Sequence, residues 1–451
     1  MPAVVGLART EITPPLGAPL GGYFTHRFAS GVHDPLWCKS LCIATEGGRL
    51  LLTACDLLGL DSEAVQAAEQ AAGLGSVPEE HTFLCCTHTH LGPQTLQVLA
   101  DTRDVTYLRR LPWLIAETIQ RASSDQWPAS LAVGASEARG ISFNRRFRMR
   151  DGSVRTNPGI LNPDILGPVG PTDPEVLVLL VRDAQARPRA VVCNFALHLD
   201  TIGGDVVSAD YPYFLSQRVR QDLGAEVEVI FVNGAAGDIN HIDVTRERPF
   251  KGFELAEDIG KRLGEAVLQA CASAVPLQEV RVRGARQLLE LPVREITQDM
   301  VRRARTIVEK EESSIAGVED QTEALGLSWP TSGTVAQVYA REWLLLHERG
   351  SAPVQADIRA ACLSPEVALV GIPGELFCEL GLRIKRDSPF PRTFVTSLTN
   401  GEVGYIPTRR AFEEGGYETI PARSSPLAPG AGEMVAEAAL ELLHRVRGQL
   451  G

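Results

Sequence analysis

Thr82-Phe83-Leu84-Cys85-Cys86-Thr87-His88-Thr89-His90-Leu91-Gly92-Pro93 is an uncharged apolar run that ends in two histidines and a Gly-Pro break. Its length and composition predict a buried strand that delivers both imidazoles at its carboxyl end. Side chains at i and i+2 of a strand share a face, so His88 and His90 are expected to point the same way, their α-carbons roughly 6.5–7 Å apart. A neutral imidazole binds a metal or moves a proton. Two hydrogen-bonded histidines at a strand end would read the same, and the rest of the chain has to separate these readings.

Working outward, the segment from Val4 to Tyr23 opens as a strand and passes into Thr13-Pro14-Pro15-Leu16-Gly17 and Gly21-Gly22-Tyr23, too rich in Pro and Gly for a helix. Leu36 to Ala44 and Leu50 to Leu58 read as strands joined at Gly47-Gly48. Ser62 to Ala72 reads as a helix capped by Asp61 and closed by Gly73, and Val105 to Ser123 as a second. Paired strands followed by β-α-β-α alternation predict an α/β fold, a mixed sheet core with flanking helices. Further strands are expected at Val176–Val181, Ala190–Ala196, Val227–Val232, Val280–Leu291, Asp357–Leu363, Val367–Ile372 and Thr393–Leu398. Helices are expected at Phe214–Leu223, Phe253–Ala274, Thr297–Ser313, Thr334–Glu348 and Glu433–Leu450, and Glu375-Leu376-Phe377 reads as a helix start. The whole chain, 1–451, is read as one catalytic domain. A helical insertion at 292–350, with a Gly/Ser/Glu-rich link to about Ser332, carries little chemistry.

With 44% hydrophobic and 22% charged residues the composition is that of an ordinary globular protein, and a net charge of -12 argues against nucleic acid or anionic membrane as partner. No apolar stretch reaches the roughly 18 residues that span a bilayer. Nine cysteines, most inside apolar runs, suit reduced core thiols. With no signal-peptide pattern at the start, the protein is expected in the cytoplasm. The most basic stretch, Asn144-Arg145-Arg146-Phe147-Arg148-Met149-Arg150-Asp151-Gly152, turns at Asp151-Gly152. Its arginines suit an anionic group on a substrate, although a solvated hairpin face is the more ordinary reading.

Polar residues recur just past the ends of apolar runs: His88 and His90, His198, Asp238 with Asn240 and His241, Glu375, and Tyr405. Ligands gather beyond the carboxyl ends of strands in sheets with helical crossovers. Two histidines and a glutamate with an open position form a catalytic zinc set, and a tyrosine is a fourth ligand or an oxyanion donor.

Five segments, taken in order, resemble the catalytic domain of the neutral/alkaline non-lysosomal ceramidase family. They are Cys86-Thr87-His88-Thr89-His90-Leu91-Gly92-Pro93, Phe143-Asn144-Arg145-Arg146, Phe195-Ala196-Leu197-His198, Ile372-Pro373-Gly374-Glu375, and Gly404-Tyr405 followed by Tyr417, with Gly237-Asp238 in addition. The resemblance spans Val4 to Tyr417. It implies a zinc amide hydrolase with His88, His198, Glu375 and Tyr405 as ligands to Zn2+. It further implies that His90 is the acid/base group beside the metal, and that Arg145 and Tyr417 steady the oxyanion.

Two departures matter. Asn240 stands where the family has the serine of Gly-Asp-x-Ser-Pro-Asn, and an amide donates a hydrogen bond but does not attack. Attack is then expected from zinc-activated water, with Asn240 or His241 in support. The second departure is at the end of the chain, which closes in a helix soon after Tyr417 without the family's immunoglobulin-like domain. The expected function is therefore hydrolysis of a carboxamide (N-acyl) bond in a small or soluble substrate. A true ceramidase and a non-catalytic relative that keeps the fold are the alternatives. A barrel-type metal-dependent amidohydrolase also uses His-x-His, but it places the pair on its first strand.

Overall fold

A computed structural model describes residues 3–74, 77–98, 102–247, 249–311 and 333–450. Its main strands are β1 (Ala3–Glu11), β2 (Trp37–Thr45), β3 (Gly48–Cys55), β4 (Thr82–Cys86), β5 (Gln126–Glu137), β6 (Glu175–Asp183), β7 (Pro188–Phe195) and β8 (Glu228–Asn233). They form one mixed sheet in the order β8-β7-β6-β5-β1-β2-β3-β4, with Val275–Pro276 added beside β5. Strands β9 (Arg283–Leu291), β10 (Val354–Ser364), β11 (Val367–Gly371) and β12 (Arg392–Thr396) make a second sheet in chain order. The pairs β3/β4, β7/β8 and β11/β12 are parallel, and the other neighbours are antiparallel.

The unbroken apolar runs follow from burial on both faces. Along β6, Val176, Val178 and Leu180 pack outward, while Leu177, Leu179 and Val181 face the second sheet's Leu363, Leu369 and Phe394. Outside the first sheet lie α1 (Ser62–Ala72), α2 (Val105–Ser124), α3 (Tyr211–Leu223) and α4 (Phe253–Ala272). Outside the second lie α7 (Cys378–Asp387) and α8 (Ala431–Gly448), with α5 (Gln298–Glu311) and α6 (Gly333–Arg349) between β9 and β10 in the chain. The layers run helix, sheet, sheet, helix, as the α/β reading expects.

The first sheet curls until its edge strands β4 and β8 meet. Asn233 donates across the seam to the Thr87 carbonyl at 3.2 Å. The exit of β12 is laced into the same seam: Cys86 N–H donates to Leu398 O and Ser397 N–H to Asn233 O, both at 3.0 Å. The carboxyl ends of β4, β8 and β12 thus converge, and β7 and β11, parallel to β8 and β12, end beside them.

Three expectations need correction. His88 and His90 are not on the strand, because β4 stops at Cys86 and His88 has φ +78°. The two-residue periodicity therefore does not set their directions. Glu375 does not start a helix; it lies on the short strand Glu375–Leu376, and α7 begins at Cys378. The insertion, expected to carry little chemistry, contributes α6 to packing beside the site. Tyr339 of α6 packs in one cluster with Phe24 and Tyr417, and Glu342 holds the Arg423 guanidinium at 2.7 Å. The link expected up to Ser332 lies outside the described residues. Among the described residues no helix is long and apolar enough to cross a membrane. All nine cysteines are buried and free.

Candidate metal centre

The turn after β4 aims the His88 ring inward. His88 Nδ1–H donates to the Leu58 carbonyl at 2.7 Å, which assigns the Nε2 lone pair to the interior. His198, three residues past the end of β7, turns Nδ1 toward Ala236 O at 3.3 Å and points Nε2 the same way. The two Nε2 atoms stand 3.1 Å apart. Glu375 Oε2 lies 3.4 Å from His88 Nε2 and 3.6 Å from His198 Nε2, buried and without a hydrogen-bond partner.

This convergence fits a cation. Two lone pairs and a carboxylate oxygen aimed at one point repel one another unless positive charge lies between them. Zinc bonds of 2.0–2.2 Å in tetrahedral geometry put ligand atoms about 3.3–3.6 Å apart, close to the separations found here. Backbone carbonyls that hold the far nitrogen of each ring are the usual support of metal-binding histidines.

Tyr405 reaches the centre because Glu375–Leu376 pairs in parallel with Tyr405–Ile406, which sets Glu375 opposite Tyr405. Burial, and then the Glu375 charge, push the Tyr405 hydroxyl well above its ordinary range. Its oxygen accepts from Arg145 Nη2 at 3.1 Å. Arg145 also donates Nε–H to Glu418 Oε1 at 2.8 Å and Nη2–H to Gly237 O at 2.7 Å. Tyr417 stands edge-on to Tyr405, ring centroids 5.6 Å apart.

His90 sits beside the pair, its ring centroid 5.0 Å from His88 and 5.2 Å from His198. Neither of its ring nitrogens has a hydrogen-bond partner. Burial, then His88, hold its imidazole well below the ordinary value; burial, then Arg145, do the same for His198. One nitrogen from each of His88, His90 and His198 falls within 4.8 Å of the others, so His90 is an alternative third donor beside Glu375.

Two adjoining cavities open on this cluster. One, of about 230 Å³, is lined by His88, Glu375, Leu58, Leu96 and Glu402 among others; the second, of about 160 Å³, by His198, Arg145, Asn240, Lys251 and Phe250. Gly22, His90, Tyr405 and Tyr417 face both. The Pro/Gly-rich N-terminal loop is therefore part of the wall. Gly22, at φ +90°, leaves room for the His90 ring where a Cβ would overlap Nδ1.

The remaining sequence candidates fall in other roles. Asn240 lines the second cavity, but its amide is occupied: Nδ2–H donates to Asn157 at 2.7 Å and Oδ1 accepts from Ile242 N–H at 3.0 Å. It fastens two loops. Asp238 accepts from Cys378 N–H at 2.8 Å and from Asn144 at 2.7 Å, so it clamps the start of α7. The basic segment is not one solvated face: Arg145 and Arg146 are buried against Glu418, while Arg148 and Arg150 are exposed and paired with Glu414 and Asp164. Those partners already neutralise the arginines expected to meet an anionic substrate.

The sequence reading missed Glu418, Glu402 and the Tyr23–Asp200–Lys251 group, in which Lys251 donates to both Asp200 oxygens at 2.8 Å. The one hint was adjacency: Glu418 follows Tyr417, Asp200 lies two residues past His198, and Glu402 three before Tyr405.

No family model matches the chain. Over 303 residues, 59% of its length, it is 26% identical to the neutral ceramidase of Pseudomonas aeruginosa, and the match takes in 43% of that relative. It spans less than half the length of the relative it matches. The crystal structure of neutral ceramidase from Pseudomonas aeruginosa aligns with the whole chain and with 75% of its own, at a TM-score of 0.73 and 19% identity. A ceramidase complexed with C2 gives 0.74 and 18%, over 76% of that chain. The chain thus has the α/β fold of the neutral ceramidase structures and is similar in sequence to a neutral ceramidase over more than half its length.

Proposed function

We propose that this chain is a zinc-dependent hydrolase of carboxamide (N-acyl) bonds, with His88, His198, Glu375 and Tyr405 as the residues that hold the metal. The observation that carries the reading is the convergence of two imidazole nitrogens and an unpartnered carboxylate oxygen within 3.1–3.6 Å. Zinc, when bound, supplies Lewis-acid polarisation of the carbonyl and a nucleophile at neutral pH.

The protein's own groups do the rest. His88 and His198 keep their tautomers through Leu58 O and Ala236 O. His90, neutral and with both nitrogens free, takes a proton and returns it to the leaving nitrogen. Arg145, pinned by Glu418, keeps positive charge beside the Tyr405 oxygen, and Tyr417 stands next to it as a donor for the developing oxyanion. Burial of these groups excludes water and strengthens each contact.

A lipid N-acyl substrate is the second reading, supported by the similarity to a neutral ceramidase. A screen of N-acyl amines, N-acyl amino acids and a fluorescent N-acylsphingosine, with metal analysis of the purified protein, tests both. Turnover that disappears in His88→Ala and Glu375→Ala, with one zinc per chain in the wild type, is expected. A protein without zinc whose turnover survives these substitutions would refute the proposal. His90→Gln is expected to keep the metal and lose turnover.

A further inference from the structure

We propose that the cavity beside Glu375 receives a protonated aliphatic amino group on the amine side of the substrate, with Glu402 as its counter-charge. This rests on the amide-hydrolase reading and names a substrate class for it, N-acylated diamines.

Glu402 Oε1 accepts the Gly404 N–H at 2.7 Å. Its other oxygen, Oε2, is sealed from solvent and has no hydrogen-bond partner. Oε2 lies toward Gly59, where a Cβ would stand 3.6 Å away, beside the Leu96 side chain. Among the described residues no Lys, Arg or His forms an ion pair with Glu402, although the cavity it lines contains Arg423, whose guanidinium is held by Glu342. The other carboxyls of this cavity have tasks. Asp61 caps α1 by accepting from Ala64 N–H at 2.8 Å, and Glu375 faces the histidine pair.

Burial, and then the Glu375 charge, hold the Glu402 carboxyl well above its ordinary range, which is the cost of a buried carboxyl that has no counter-charge among the described residues, and native structures pair such groups. A ligand ammonium satisfies Oε2 through a charge-assisted hydrogen bond, and Leu58, Leu96 and Val98 in the same wall suit the methylenes between the ammonium and the scissile nitrogen. The cavity adjoins the metal centre through His88 and Glu375, and we assign it to the leaving amine.

The test is calorimetric titration of the zinc-loaded full chain with 1,4-diaminobutane and with its uncharged analogue 1-pentanol. The wild type is expected to bind the diamine at least about tenfold more tightly, the factor expected of one charge-assisted hydrogen bond. Glu402→Gln is expected to lose that preference. Equal affinity for the two probes in the wild type, or an undiminished preference in Glu402→Gln, overturns the proposal. If Glu402→Gln does not fold, the wild-type comparison decides alone. Hydrolysis of N-acetyl-1,4-diaminobutane against N-acetylpentylamine reports separately. Diamine binding without hydrolysis of either amide sinks the hydrolase reading and spares the ammonium site, whereas hydrolysis without diamine preference does the reverse.

Discussion

His88 Nε2 faces His198 Nε2 across 3.1 Å, and both rings have given their Nδ1 side to backbone carbonyls. With Nδ1 of each ring turned to a carbonyl, the two Nε2 lone pairs face one another, an arrangement that suits a cation. Chelation of the metal is expected to lower the melting temperature by several degrees, because a ligand bound only by the folded state stabilises it by mass action. His88→Ala and His198→Ala are each expected to weaken zinc binding more than about 100-fold, the upper end for outer-shell changes. Competition with a chromophoric chelator measures this, and wild-type affinity in either variant would count against the centre.

Arg145→Met should destabilise the fold by about 3 kcal/mol, because it leaves Oε1 of the fully buried Glu418 without its donor and Arg146, 3.6 Å from Oε2, as the remaining counter-charge. The double variant Arg145→Met/Glu418→Gln should recover a large part of the loss. Urea denaturation of the chelator-treated protein reads both, and a double variant no more stable than the single one would sink the argument.

Gly237→Ala tests how closely the backbone is packed behind the site. A Cβ there would overlap the carbonyl of Glu375, and neither backbone segment yields as a flexible side chain does. A loss of about 1–3 kcal/mol is expected, together with weaker zinc binding as Glu375 is displaced. Gly448→Ala, which has open space around it, is the control and should change neither quantity.

Burial raises the Asp238 carboxyl to about 6. A carboxyl raised on folding is favourable in its protonated form, so its contribution is full below the unfolded value near 4 and is lost as pH rises through about 6. The buried histidines act oppositely, so wild type must be compared with Asp238→Asn. The wild type should gain roughly 2 kcal/mol relative to the variant between pH 7 and 4.5. Parallel pH profiles for the two proteins would contradict this.

Much of this molecule was legible in its amino acids because burial on both faces writes itself as unbroken apolar runs. Val176–Val181 lies within a strand where expected, Val227–Val232 is matched one residue later by Glu228–Asn233, and Asp61 and Gly73 bound a helix as capping chemistry requires. Glu375 was misplaced because a two-residue strand leaves no periodicity, only a partner 30 residues on at Tyr405. His88 and His90 were linked correctly but for the wrong reason. A left-handed turn, stabilised by His88 N–H to Leu57 O at 2.9 Å, orients His88, and strand alternation plays no part. Asn240 reads as a site residue from its motif position, and its engagement with Asn157 depends on a loop more than 80 residues away. Glu418 and Glu402 carry no pattern at all, since a lone buried glutamate differs from a surface one only in what folds over it.

The closing of the first sheet on itself also governs when the site comes into being. His88 and His198 are 110 positions apart in the chain, and Arg145 and Glu418 are 273 apart. Glu375 and Tyr405 meet across 30 positions, but His88 and His198 each come from a separate segment, so no local stretch assembles more than half of the ligand set. Chain closure over such distances is entropically late, and folds dominated by distant pairings form slowly. Uptake of the proposed zinc during refolding is therefore expected to lag behind helix formation and to arrive with the final consolidation of the seam, so that a metal-binding signal would time the last step of folding.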